Sequence, residues 1–341
     1  MLQPSVWPAF LSRLISGGSL SVGEAEQAML AIMHEDVTPA QVAGFLTALR
    51  TKGETVDELE GFARAALDMA QTVVSSEPVV DTCGTGGDRS GTFNISTLAA
   101  IVVAGCDVRV AKHGNRAASS TCGSADVLEA LGVRIDLGPD GVSRCLDEAG
   151  IAFMFAPVFH PAAAYAAGIR RELRVPTAFN FLGPLTNPAR PAAQVVGVSD
   201  ARMLPLVAQV LARRGVRAKV FRGEDGLDEL TTTGLSTVHD TRDGEVRERT
   251  LDPSDMGLRK ASDDDLRGGD PQVNADIVRR VLEGEPGPRR DVVLLNAAAA
   301  LEVAGQVGSI EEGLARAASS IDDGSARAAL DRWVDVSNSV R

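Results

Sequence analysis

The residues with the most chemical content gather between positions 83 and 120. Cys83-Gly84-Thr85-Gly86-Gly87-Asp88 follows a short apolar run and precedes a longer one. Three glycines let the backbone turn tightly and point its N–H groups outward, as a phosphate cradle does. No Gly-Lys-Ser/Thr follows, so this is not a Walker loop. Position 89 is Arg89, where a dinucleotide fingerprint needs glycine. On glycine content alone, an ordinary tight turn is an equal reading. The next segment breaks the tie. Asn94-Ile95-Ser96-Thr97 places an amide and two hydroxyls at the start of an apolar helix, beside unpaired backbone N–H groups. Plain N-capping needs only one such residue.

Lys112-His113-Gly114-Asn115-Arg116-Ala117-Ala118-Ser119-Ser120 is expected as a loop at the C-terminal end of a parallel strand, where open α/β sheets bind ligands. Its cations, amide, imidazole and paired hydroxyls suit a multiply charged phosphate ester, with Lys112 as a point charge. Asp228-Glu229 is a pair of adjacent carboxylates. Taken alone it reads as solvated surface; beside a phosphate cradle it reads as a Mg²⁺ site completed by water and substrate phosphates. Arg170-Arg171 lies on an expected helix after His160-Pro161. One arginine can grip a planar carboxylate through two parallel hydrogen bonds, while Arg171 suits a surface salt bridge.

The elements that must position these residues are legible in outline. Residues 1 to 72 read as helices only. Ser21 with Glu24 and Thr55 with Glu58 fit capping boxes, and Thr38-Pro39 fits an N-cap followed by proline. From Pro78 the pattern changes. Strands are expected at Pro78–Thr82, Val108–Lys112, Ile151–Phe155, Ala193–Val198 and Val216–Phe221. Helices between them are expected at Leu98–Ala104, from Gly138 to about Gly150, and at Ala201–Arg214. Such alternation implies a mostly parallel sheet with covered faces. Residues 227–252 suggest a short antiparallel excursion, and the chain beyond about 262 is helical.

Composition bounds the function. The chain has 341 residues, 34 basic and 46 acidic, for a net charge of −12. That balance opposes general nucleic-acid binding, which phosphate contacts dominate. The apolar runs fall short of the roughly 20 residues that cross a bilayer, and no basic leader precedes Arg13. The cysteines, Cys83, Cys106, Cys122 and Cys145, form no C-x-x-C pair and read as reduced thiols of a cytoplasmic protein.

Together, Gly84–Asp88, Asn94–Thr97, Lys112–Ser120 and Asp228–Glu229 resemble the anthranilate phosphoribosyltransferase family. Pro176–Pro188, Gly268–Ala275 and Leu295–Ala298 are similar to further signatures of that family, in the same order. The resemblance implies transfer of phosphoribosyl from phosphoribosyl pyrophosphate to the amine of anthranilate, in tryptophan biosynthesis. It implies a small helical domain (1–72, completed by helices near 161–190) beside a larger α/β domain (76–160 and 191–341), and a homodimer formed through the helical domain. This is the architecture of nucleoside phosphorylases and phosphoribosyltransferases. By position, Gly84, Gly86, Gly87, Asp88, Thr92, Asn94, Ile95, Ser96, Thr97, Lys112, Ser119, Ser120 and Ser124 would bind phosphoribosyl pyrophosphate. Ser96, Asp228 and Glu229 would organise Mg²⁺. Asn115 and Arg170 would hold anthranilate, with Gly84 and His113 nearby. No covalent nucleophile is implied. Arg89, Arg174 and Pro176 depart from the family pattern, the first two where glycine is usual. Two rivals share the architecture: a pyrimidine nucleoside phosphorylase, which resembles Lys-x-Ser-x-Arg where this chain has Lys112–Arg116, and a non-enzymatic nucleic-acid-binding paralogue. The Asp228-Glu229 pair and the acidic charge argue against them. An inactive structural relative is a third reading, opposed by the intact donor loops.

Overall fold

The computed structural model describes residues 6–117 and 121–340. Four helices come first: α1 (Val6–Ile15), α2 (Val22–Met33), α3 (Pro39–Lys52) and α4 (Val56–Asp68). Capping boxes open three of them, with Ser21–Glu24 on α2, Thr38–Gln41 on α3 and Thr55–Glu58 on α4. Glu58 does more than cap. It is fully buried, and its carboxylate also accepts from the Leu20 N–H at 3.0 Å and the Lys52 ammonium at 2.9 Å. One buried charge thereby ties the starts of α2 and α4 to the end of α3.

The α/β part follows: β1 (Val80–Gly84), α5 (Ile95–Gly105), β2 (Val110–Gly114), α6 (Ser124–Ala130), α7 (Pro139–Glu148), β3 (Ile151–Phe155) and α8 (Ala156–Phe159). Then come α9 (Ala164–Leu173), α10 (Phe179–Leu182), β4 (Ala193–Gly197), α11 (Leu204–Arg213), β5 (Arg217–Gly223), β6 (Ser236–Arg242) and β7 (Glu245–Leu251). Helices α12 (Pro271–Leu282), α13 (Pro288–Val303), α14 (Ile310–Asp322) and α15 (Ser325–Ser339) close the chain. The seven strands form one sheet in the order β3-β2-β1-β4-β5-β6-β7. The pairs from β3 to β5 are parallel, and β6 and β7 are antiparallel. The β6–β7 loop is Asp243-Gly244, both with positive φ (54° and 81°), the conformation that matches a two-residue hairpin to the twist of its strands.

Alternate strand residues feed two apolar layers. Val80, Val195 and Phe221 join the cluster built on α5, α13 and α15. Cys83, Val196 and Val220 join the other, which contains α1–α4, α11 and the buried residues Ala166, Ile169, Phe181 and Leu182.

The structure corrects the expected boundaries where ladders, not apolar runs, set them. The first strand starts at Val80 instead of Pro78, and Gly84 is its last residue. The second, expected over Val108–Lys112, runs from Val110 to Gly114, because His113 and Gly114 also pair with Met154 and Phe155 of β3. Lys112, His113 and Gly114 are therefore strand residues and not part of a loop. Ile95, Ser96 and Thr97 form the first turn of α5 instead of preceding it. The helix expected from Ala201 begins at Leu204.

Candidate active site

The sheet places the glycine loop at its topological switch point. The chain leaves β1 toward β2 and β3, then returns as β4 on the other side of β1. Open α/β sheets bind ligands at such a crevice, beyond the carboxyl ends of the strands. Gly86 and Gly87 have φ of +68° and +84°, so the turn needs residues without a Cβ. Gly84 and Gly197, at the ends of β1 and β4, are glycines for a different reason. A Cβ on Gly84 would lie 2.2 Å from Asp228 Oδ2, and one on Gly197 1.6 Å from the Asp228 carbonyl oxygen. Their bare backbones admit the turn that carries Asp228 and Glu229.

That turn docks directly on the predicted donor site. The Gly86 N–H donates to Asp228 Oδ2 at 2.7 Å, and the Ser96 N–H at the start of α5 donates to Glu229 Oε1 at 3.0 Å. Burial raises both carboxyl pKa values. Asp88 adds repulsion on Asp228, and Asp228 adds it on Glu229. Lys112 opposes the shift of Glu229. Its ammonium is buried and donates to the Thr82 carbonyl and, at 3.4 Å, to the Ser96 hydroxyl. Among the described residues no group of three or more His, Cys, Asp and Glu side chains is arranged to hold a metal alone. Two crowded carboxylates with raised pKa values, beside the Ser96 hydroxyl, fit a divalent cation whose remaining ligands come from water and substrate oxygens.

The other predicted donor-site residues divide by exposure. Asp88 is half-buried and accepts from the Ser90 hydroxyl at 2.6 Å. Thr92 bridges to Arg267. Asn94 does not cap α5. Its amide donates to the Cys122 carbonyl at 3.2 Å, and its Oδ1 accepts from Asn274 at 3.0 Å. Ile95 is buried, and so is Thr97, whose hydroxyl has no hydrogen-bond partner among the described residues. Ser124 donates to the Asn115 carbonyl at 3.2 Å. Ser119 and Ser120 lie outside the described residues. On either side of them, the Ala117 and Gly123 N–H groups both donate to Asp126, at 3.1 and 2.9 Å.

On the acceptor side, Arg170 is half-buried on α9. It donates to Asn180 Oδ1 at 3.2 Å and lies 5.3 Å from the Phe179 ring centroid. Burial alone lowers its pKa, with no carboxylate acting against that shift. A guanidinium so placed suits an anionic ligand. Arg171 is exposed on the same helix. His113 is buried, and burial pushes its pKa down to about 3, helped by His160 at 5.1 Å between ring centroids. Its Nδ1 must donate to the Gly183 carbonyl (3.1 Å), leaving Nε2 as a buried acceptor without a partner among the described residues. Asn115 is exposed and accepts from the Arg116 N–H at 2.7 Å.

Three groups at the site escaped the sequence reading. Ser199, just past β4, donates its hydroxyl to the Gly86 carbonyl at 2.7 Å. Asp81, fully buried under the loop, accepts from the His113 N–H. Asn274 reaches Asn94 from α12. For Ser199 a signal existed, its place after a strand beside the glycine loop. For Asn274 the signal was its place in the Gly268–Ala275 signature, whereas Asp81 carried none, because its partner is distant in sequence.

A helical bundle beside an α/β body, with a glycine loop at the switch point, is the arrangement shared by a glycosyl transferase family. Residues 8–70 match the helical bundle domain, and residues 76–327 the a/b domain, of a glycosyl transferase family. The chain is 56% identical to the anthranilate phosphoribosyltransferase of Arthrobacter sp. (strain FB24), over 97% of this chain and 96% of that protein. It is 56% identical to that of Moorella thermoacetica, over 96% and 97%. A crystal structure of anthranilate phosphoribosyltransferase from Thermus thermophilus superposes with a TM-score of 0.92 at 43% identity, covering 97% of this chain and 99% of that one. The Saccharomyces cerevisiae enzyme in complex with PRPP and Mg superposes with a TM-score of 0.90 at 28% identity, covering 99% of both. The chain belongs to the anthranilate phosphoribosyltransferase family.

Proposed function

We infer that this protein transfers the phosphoribosyl group of phosphoribosyl pyrophosphate to the amine of anthranilate, giving N-(phosphoribosyl)anthranilate and pyrophosphate in tryptophan biosynthesis. The observation that carries this reading is the docking of Asp228 onto Gly86 at 2.7 Å, which supports a cation site at the Asp228-Glu229 pair beside the glycine loop. Neither the phosphorylase nor the nucleic-acid-binding alternative is favoured by this arrangement.

Breaking the ribose C1–pyrophosphate bond builds positive charge on the ring and negative charge on the leaving group, as in other glycosyl transfers. The protein's task is to stabilise the departing charge and to aim the nucleophile. Mg²⁺ held by Asp228, Glu229 and Ser96 supplies neutralisation of that charge. The loop from Gly84 to Asp88, with Thr92, Lys112 and Ser124, would bind the donor, and the family resemblance adds Ser119 and Ser120 to that set. Lys112 acts through its buried field on the Ser96 and Glu229 groups. Arg170 grips the anthranilate carboxylate, with Asn115 and neutral His113 beside the acceptor. At pH 7 His113 is neutral and its one N–H is engaged by the Gly183 carbonyl, so Nε2 is left as a hydrogen-bond acceptor.

Three further readings go with this one. The helical unit is 1–72 with the helices near 161–190, and the α/β unit is the rest. The protein is a homodimer through the α1–α3 face, where Ile15 is 76% exposed beside Gly17, Ala43, Gly44 and Thr47. It works in the cytoplasm, a reading supported by four buried cysteines that read as thiols. No helix among the described residues is long and apolar enough to cross a membrane.

The test is loss of anthranilate fluorescence on mixing the protein with phosphoribosyl pyrophosphate and Mg²⁺. The expected result is rapid loss, abolished by EDTA and slowed by Arg170→Ala. Folded protein that binds the donor but leaves anthranilate untouched would remove anthranilate as the acceptor.

A further inference from the structure

Ser199 is joined to the donor loop at two points. Its hydroxyl donates to the Gly86 carbonyl at 2.7 Å, and its N–H donates to the Thr85 hydroxyl at 3.1 Å. Its own carbonyl accepts from Arg222 Nε at 3.0 Å. The neighbouring Asp200 accepts from Arg50 Nη2 at 2.9 Å, a contact between residues 150 apart in sequence. Arg50 belongs to α3 of the helical bundle. Its guanidinium lies 5.9 Å from the Phe181 ring centroid on α10. The residue before Phe181 is Asn180, which accepts from Arg170. The contacts thus run without a gap from the glycine loop, through Ser199, Asp200, Arg50 and Phe181, to the acceptor arginine.

Arg50 is held at this junction by charge more than by saturated hydrogen bonding. Its Nη1 is buried without a hydrogen-bond partner among the described residues and lies 3.8 Å from Glu54, whose two oxygens are likewise buried and unpartnered. Asp200 is shared with Arg202 at 3.1 Å. A bond solely for stability could sit anywhere between the helical bundle and the sheet. This one joins the loop after β4, whose Ser199 holds the glycine turn, to α3, whose Arg50 packs on Phe181 beside the partner of Arg170.

We propose that Arg50 and Asp200 are positioning residues. Through Ser199 on one side and Phe181 on the other, they fix the donor loop relative to Arg170, and so the approach of the acceptor amine to the ribose. They act through these neighbours and not by touching substrate. The inference rests on the assignment of Arg170 to the acceptor. Misplacement of reacting groups by about 1 Å costs up to roughly 100-fold in rate, so a loosened junction shows in turnover.

The experiment compares wild type with Asp200→Asn, Arg50→Gln, Arg50→Lys, the Arg50→Gln/Asp200→Asn double variant and Ser199→Ala. It reads kcat, both KM values, calorimetric affinity for phosphoribosyl pyrophosphate with Mg²⁺, and thermal unfolding. Arg50→Gln and Asp200→Asn should each lower kcat about tenfold, Arg50→Lys should recover part of the loss, and the double variant should be no worse than the poorer single, as coupled partners behave. Ser199→Ala should weaken donor affinity about tenfold, the scale of one lost hydrogen bond to a loop. Arg50 variants also unpair Glu54 and can lose stability. Asp200→Asn, on the half-exposed side, separates that effect. Unchanged kcat and KM in Asp200→Asn, or additive losses that follow unfolding temperature, would overturn the proposal. Unchanged donor affinity in Ser199→Ala would overturn its donor half. Wild type that binds donor but ignores anthranilate would instead overturn the acceptor assignment.

Discussion

The carboxylates of Asp228 and Glu229 are the residues on which most of the proposed chemistry converges, and their environment makes a testable statement about pH. Burial raises both pKa values above the ordinary carboxylate range, with added repulsion from Asp88 on Asp228 and from Asp228 on Glu229. The folded protein therefore holds protons that the unfolded chain gives up near pH 4. With folded pKa values raised, this pair costs stability progressively as pH rises from about 4 toward neutrality. A bound cation replaces those protons, so its stabilisation should be larger at about pH 8 than at about pH 5. The check is thermal unfolding with and without Mg²⁺ at the two pH values. Asp228→Asn, which can still accept from Gly86, should flatten the difference. A Mg²⁺ effect equal at both pH values would show that the pair is not the cation site. Arg89 and Arg174 allow a second residue-scale prediction. Both sit at positive φ (60° and 53°), where the family resemblance places glycine. A left-handed L-residue costs about 1–2 kcal/mol, partly offset by the extra chain entropy of glycine when unfolded. Arg89→Gly and Arg174→Gly should each stabilise the fold by roughly 0.5 kcal/mol, read as a higher urea midpoint at unchanged slope.

At the scale of elements, the helical bundle is fastened by Glu58. Its carboxylate satisfies the Leu20 and Thr55 N–H groups and the Lys52 ammonium while fully buried. Glu58→Ala removes a cap and leaves a nearly buried ammonium with only neutral partners, the Gly53 carbonyl and the Ser19 hydroxyl, so it should cost about 3 kcal/mol. Urea unfolding would show it, and a loss below about 1 kcal/mol would mean that Lys52 finds other partners easily. The strand ends make the complementary case. Gly197 has no conformational need for glycine but would place a Cβ 1.6 Å from the Asp228 carbonyl. Gly197→Ala should push the Asp228 turn off the glycine loop and weaken donor and Mg²⁺ binding more than it weakens the fold. Calorimetry beside thermal unfolding distinguishes the two.

For the whole molecule, the sheet divides the chain into two apolar layers, and the proposed site draws residues from segments of both. Donor-loop and carboxylate residues come from β1, α5 and the turn after β5, whereas Arg170 comes from α9. A cleft of 860 Å³ lies elsewhere, lined by Arg217, Lys219, Asp240, Arg249 and Glu302 but by no predicted site residue, so cavity size alone would point away from the chemistry. The α1–α3 face carries the dimer proposal. Ile15→Glu should leave a folded monomer in sedimentation or scattering measurements, because a charge at the centre of an apolar interface is desolvated without a partner. An unchanged dimer would place the interface on another face.

The local signals in this sequence were sufficient for the capped helices, the glycine turn and the alternation that makes a covered parallel sheet, because caps, turns and periodicity are properties of neighbouring residues. The Asp243-Gly244 hairpin was also there to be read, though it was legible only as a vague antiparallel excursion. Lys112 and His113 looked like loop donors because their polarity hides the fact that ladder pairing with β3 continues through them. The landing of Asp228 on Gly86, the burial of Asp81 beneath the loop and the path from Ser199 to Arg50 were decided by the tertiary structure alone. They join residues that lie far apart in the chain, and no local preference records which distant partner a backbone N–H or a carboxylate will meet.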